Sequence, residues 1–142
     1  MKADLVSLFS AEKLHAAGSF SDEQLRAIYA SGILRVLNKN QPRREQAYGT
    51  MQLIQWNWFL QSGVLSLQDG KLAINYDLYP AAVESLLKLV LNLQYQGDRD
   101  AANAFVDKWT NWDEELHGQI GDLMKAAPGA NYRLVTYEAL GE

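Results

Sequence analysis

The sequence contains no cysteine. Disulfides, zinc–thiolate sites and cysteine nucleophiles are thereby excluded. Histidine is scarce as well. His15 and His117 are the only two, and neither stands in an H-E-x-x-H motif, which sets two imidazoles on one helix face with a glutamate as base. A catalytic zinc site draws three protein ligands with locked supporting partners, more than two isolated histidines supply. No metal ligand or catalytic residue is therefore assigned within the chain. Each histidine has carboxylates near it in sequence, Glu12 for His15 and Glu114 with Glu115 for His117; such a pattern is expected on a solvated helix surface.

Long apolar runs are also missing. The longest, from 86 to 93, is broken by Lys88 and Asn92, so no membrane-crossing helix is expected. The first residues have mixed polarity rather than the apolar stretch of a signal peptide, and a cytoplasmic location is the default expectation. Basic charge is thin. Lys and Arg number 13 against 17 Asp and Glu, for a net charge of −4. Only Arg43 and Arg44 cluster, too little for a phosphate-binding groove, so no nucleic-acid partner is expected. There is no glycine-rich phosphate loop, no G-x-S-x-G elbow and no calcium loop. Asp98-Arg99-Asp100 reads as a helix cap with a local ion pair.

What the chain does have is 48% apolar residues and 11% aromatics over 142 positions, enough to bury a core as one helical domain spanning 1–142. Leu5, Leu8, Phe9 and Glu12 recur at helical spacing, with Gly18 as the C-cap. No capping residue precedes Lys2, as expected of a chain cut inside a longer helix. Ser21 and Gln24 form a capping box for a second helix carrying Leu25, Ile28, Tyr29, Ile33, Val36 and Leu37. Asn38 to Pro42 ends it, and Gly32 inside it costs about 1 kcal/mol relative to Ala. A third helix, about 43–62, carries Met51, Leu53, Ile54, Trp56, Trp58, Phe59 and Leu60. Its second half is apolar all round, the mark of a helix buried on several sides. Trp56 and Trp58 face different ways, and core packing is the favoured role for both.

Short apolar runs around Asp69-Gly70 predict a β-hairpin over about 64–75. Pro80 opens a fourth helix that runs to Gln96. Asp98 caps a fifth, containing Ala101, Ala104, Phe105 and Trp109. Trp109 and Trp112 flank a turn and staple two helices. Acidic residues 113–115 open a sixth helix, and 132–137 is a short extended tail. The expected fold is mainly α: about six helices in a bundle-like array, one small hairpin and an extended C-terminal tail.

Three stretches together resemble the dipeptidyl-peptidase III family of zinc metallopeptidases, its bacterial branch included. They are the long helix from Gln46-Ala47-Tyr48 to Gln61-Ser62-Gly63, the hairpin from Val64 to Ile74, and the segment from Leu86 to Trp109, in which Leu-Gln-Tyr-Gln-Gly-Asp-Arg-Asp-Ala-Ala links two helices. The tail Tyr132-Arg133-Leu134-Val135-Thr136-Tyr137-Glu138-Ala139-Leu140 is similar to bacterial members. The family holds zinc through H-E-x-x-G-H, which is absent here, and through E-E-x-[KR]-A-[DE]. Lys2-Ala3-Asp4 resembles the last half of the second motif, whose glutamates would lie just before Met1. The resemblance implies that Asp4 is the motif's final acid, which orients a ligand from the second shell. It also implies that Tyr48, Gln52 and Gln55 on the third helix face the substrate cleft. Family members carry a histidine on this helix; here the matching place is Tyr48, or Ala47 if the alignment slips by one. Tyrosine donates a hydrogen bond to a developing oxyanion but is no cationic partner near neutral pH.

Two functions follow as expectations. In the first, the chain is the C-terminal structural segment of a zinc-dependent dipeptidyl-peptidase III-like enzyme. It buttresses the zinc site and lines the peptide cleft, its partners are the remainder of the lobe and, in the whole enzyme, a peptide substrate, and it is inert alone. Zinc is implied for the whole enzyme and no cofactor for this chain. In the second, it is a stand-alone, non-catalytic helical interaction module. A small enzyme of another type is disfavoured, because no catalytic constellation is visible.

Overall fold

The structure is a computed structural model that describes residues 1–37 and 46–127. Among these residues are six α-helices and one antiparallel hairpin, the mainly α architecture expected from the sequence. The extended tail expected at 132–137 lies outside the described residues, as does the expected end of the second helix at 38–42.

α1 spans Lys2–Ala16 and α2 spans Asp22–Leu37. The capping box forms as the sequence predicts: Ser21 N–H donates to Gln24 Oε1 at 2.9 Å, and Gln24 N–H to Ser21 Oγ at 3.2 Å. The two helices run antiparallel. Arg35 Nη1 meets Asp4 Oδ1 at 3.0 Å at one end, and His15 Nε2 meets Asp22 Oδ1 at 2.7 Å at the other. Gly32 is explained by what lies opposite. A Cβ there would stand 2.5 Å from Tyr79 Oη and 3.1 Å from Leu8 Cδ2, so the helix gives up propensity to let the tyrosine in.

α3 spans Ala47–Gln61 and begins at Gln46 without a side-chain cap; the expected start near Arg43 lies outside the described residues. Leu53, Ile54, Trp56 and Phe59 are each at most 3% exposed, so the all-round apolar pattern marks the central helix. β1 (Leu65–Gln68) and β2 (Lys71–Ile74) pair in the register Leu65↔Ile74 to Gln68↔Lys71. Their turn sets Asp69 at φ 49° and Gly70 at φ 70°, the two positive angles of a tight hairpin turn.

A 3₁₀ turn at Tyr76–Leu78 leads into α4, Tyr79–Gln96, with Pro80 in its first turn. Asp98 caps α5, Arg99–Trp109, by accepting from the N–H groups of Asp100 and Ala101 at 2.9 and 3.0 Å. Beyond α5 the sequence predicts an ordinary helix. The structure has a π-helical turn, Glu114–Gly118, and only then α6, Gln119–Ala126. All six helices and β1 contribute to one hydrophobic cluster, which includes Leu5, Ile33, Trp56, Leu65, Leu86, Trp109 and Ile120.

Candidate functional site

Asp4 stands in the first turn of α1, where an acid suits the helix dipole. One carboxylate oxygen accepts from Arg35, and the other is 3.7 Å from the terminal amine. The hydrogen bond from Arg35 is the main cause that holds its carboxyl below the usual carboxylate range, against a smaller opposing effect of burial. Asp4 is thus a charged, partnered group on the α1–α2 edge.

Tyr48, Gln52 and Gln55 follow one another on a single face of α3, because steps of four and three residues return to the same side of a helix. That face passes from solvent to core within two turns. Tyr48 is 81% exposed, Gln52 is half-buried and Gln55 is fully buried. Neither amide atom of Gln55 has a hydrogen-bond partner among the described residues. A buried amide left so costs about 1–3 kcal/mol, which makes Gln55 an odd occupant of a purely structural position. Among the described residues no hydrogen bond or ion pair joins Asp4 to this trio.

The sequence missed a second constellation. A solvated surface position is expected for His117, yet the residue is 3% exposed. The π turn is the reason: it rotates residue 117 inward, against the second half of α3. His117 Nε2 lies 2.9 Å from Asn57 Oδ1, and Asp113 N–H donates to its Nδ1 at 3.0 Å. Asn57 Nδ2 in turn donates to the carbonyls of Trp109 and Asn111 at 3.0 and 2.9 Å. Those two bonds fix which end of the amide faces the imidazole, and so make Nε2 the donor. The Trp112 ring stacks on the imidazole, with centroids 5.0 Å apart and planes at 24°, while Trp56 meets it edge-on at 5.1 Å. Burial is the main cause pushing the imidazole below its usual range; the Asp113 carbonyl, 3.1 Å from Nδ1, and the charges of Asp113 and Glu114 pull the other way. Glu114 spends one oxygen on Trp112 Nε1 at 2.5 Å. No local sequence signal marks this constellation, because the contact joins His117 to Asn57, 60 positions away.

The other tryptophans pack as expected. Trp58 tilts against Trp109 at 4.6 Å and donates its indole N–H to Ala82 O at 3.0 Å. Two of the open grooves on the surface lie along α1 and α2. One of about 590 Å³ carries Glu12, Asp22, Glu23 and Asp77 against the single cation Arg26; the other, about 410 Å³, runs between α1 and α2 beside Asp4 and Arg35. Neither reaches Tyr48, Gln52 or Gln55. Among the described residues no three His, Asp or Glu side chains converge as metal ligands.

No protein-family model matches the chain. Among curated proteins it is similar to Nudix hydrolase 3 of Arabidopsis thaliana, with 27% identity over 109 residues; the match covers 76% of this chain but only 14% of that protein. Among solved structures it is similar to dipeptidyl-peptidase III from Corallococcus sp. strain EGB, with a TM-score of 0.70, 23% identity, and coverage of 87% of this chain and 23% of that one. DPP III from Caldithrix abyssi gives a TM-score of 0.69 at 21% identity, covering 88% of this chain and 24% of the other. The six helices and hairpin described above thus have the fold of a segment that makes up about a quarter of a dipeptidyl-peptidase III chain.

Proposed function

We propose that the chain serves as the C-terminal structural segment of the helical lobe of a zinc-dependent dipeptidyl-peptidase III-like metallopeptidase. The observation that carries this is the fold likeness, which takes in 87% of this chain but 23% of its neighbour. In this reading zinc belongs to residues outside the chain. Asp4, ionised and held by Arg35, orients a zinc ligand of the adjoining segment by a hydrogen bond. Tyr48 and Gln52 line the peptide cleft, with Gln55 buried behind them on the same helix face. The exposure of Tyr48 at 81% and Tyr95 at 91% fits surfaces that the remainder of a lobe covers. The Nudix name belongs to an Arabidopsis thaliana protein of which this chain matches 14%, too small a share to carry that protein's activity to this chain.

A stand-alone interaction module is the second reading. It is favoured by a core that closes within the chain, with Leu5, Phe59, Val64, Tyr79, Leu86 and Ile120 all at zero exposure. Blotting source cells with an antibody to this chain separates the two. A band several times larger than 16.0 kDa supports the peptidase segment; a band at that mass supports the module. In either case the purified 142-residue chain should hold no stoichiometric zinc by elemental analysis and release no dipeptides from arylamide substrates. Steady turnover abolished by a chelator would overturn the inert-segment reading.

A further inference from the structure

We propose that His117 is a proton-operated latch that holds the π turn and α6 against α3. The geometry carries it. Nε2 is committed as donor to Asn57 Oδ1, and Nδ1 faces the Asp113 N–H at 3.0 Å, so the latch closes only on the neutral ring. A proton added at Nδ1 sets two donors face to face. The new N–H turns to the Asp113 carbonyl 3.1 Å away, which already accepts from His117 N–H at 2.7 Å, and Asp113 N–H is left without its acceptor. That N–H stands at the cap of the π turn, where the Asp113 carboxylate holds the N–H groups of Glu115 and Leu116.

The surroundings decide how readily the ring takes a proton. α3 contributes no charged residue from Ala47 to Gln61. From the π turn and its cap, Asp113 and Glu114 favour the cation, though Glu114 is already bonded to Trp112. The last turn of α5 brings Asp107 and Lys108, with Lys108 over the Trp109 ring at 5.1 Å. On α6, Asp122 and Lys125 pair with each other at 3.1 Å. Burial outweighs the two carboxylates, so the folded chain prefers the neutral ring. The unfolded chain then binds the proton more readily. The latch contributes fully above the ordinary histidine value of 6.5 and is lost as pH falls below it through the folded value.

The test is an NMR titration of the 142-residue chain, following both imidazoles and the Asp113 amide. The expected result is that His117 titrates below 6.5 in step with faster exchange of the Asp113 amide, after correction for intrinsic exchange. Its protection should drop by about five- to tenfold, the equilibrium weight of one neutral hydrogen bond. Indole fluorescence should fall over the same range, because a cation then stacks on Trp112. His117→Gln keeps an N–H donor for Asn57 without a titrating ring and should remove the fluorescence step. His15→Gln, at the exposed α1–α2 pair, should leave it. Titration of His117 at or above 6.5, an Asp113 amide indifferent to it, or a fluorescence step that survives His117→Gln would each overturn the latch.

Discussion

Asn57 shows how much one side chain decides. Its amide joins α3 to the carbonyls of Trp109 and Asn111 and to His117, 52 to 60 positions away in sequence. Removing it leaves the part-buried Trp109 carbonyl and an imidazole donor unmet, while the exposed Asn111 carbonyl turns to water, so Asn57→Ala should destabilise the chain by about 2 kcal/mol in urea unfolding. Gly32 and Tyr79 form a sharper test. Gly32→Ala forces a methyl to 2.5 Å from Tyr79 Oη and should cost about 1–3 kcal/mol through overpacking. Tyr79 Oη is buried, lacks a hydrogen-bond partner among the described residues, and has its ionisation pushed far up by burial. Tyr79→Phe should therefore be close to neutral and should rescue Gly32→Ala in the double variant; additive losses in the same unfolding series would show that the clash is not the cause. At Asp4 the sign runs with acid. Arg35 holds the carboxyl low, so the pair contributes above the ordinary carboxylate range and is lost as pH falls through the folded value. Asp4→Asn should flatten the acid limb of a thermal-stability profile by about 1 kcal/mol or less, since Arg35 is 46% exposed.

The elements differ in how locally they are specified. The capping box at Ser21 and Gln24, the Asp98 cap and the Asp69-Gly70 turn each act within a few residues of chain, and each formed as the sequence predicts. Gly70→Ala should cost about 1 kcal/mol, since an alanine at φ 70° meets its own carbonyl, and chemical denaturation will measure it. The segment after α5 is otherwise. Residues 113–118 carry the acidic start of an ordinary helix, but the structure widens them into a π turn. The extra width brings His117 under Trp112 and within reach of Asn57. Such turns recur at functional positions in helices, and this one is bought with a contact on another helix rather than with local propensity.

At the scale of the whole molecule, α3 is the axis. Its second half meets α4 through Trp58 and Phe59, the end of α5 through Asn57 and Trp58, and the π turn through Trp56. A chain held by one shared core should unfold in a single transition, with far-ultraviolet dichroism and tryptophan fluorescence coinciding on urea addition. Separate midpoints would mean that α6 and the π turn form an independent unit. The likeness to about a quarter of a dipeptidyl-peptidase III chain bears on the same scale, because it concerns how elements are arranged rather than any one residue.

The sequence by itself determined the places of the first five helices, the caps at Ser21 and Asp98, the hairpin and its turn, and the central place of α3. Each of these follows from the period of apolar residues or from a backbone angle that one residue type favours, and both are written within a few positions of chain. The family resemblance, rather than any local pattern, pointed to Tyr48, Gln52 and Gln55 on α3. It did not foresee that this face sinks from 81% exposure at Tyr48 to none at Gln55, because depth is set by what packs opposite. The tertiary structure alone decided the burial of His117, the pairing of Gly32 with Tyr79 and the reach of Asn57. Those are contacts between residues tens of positions apart, and no local pattern carries the geometry that brings them together.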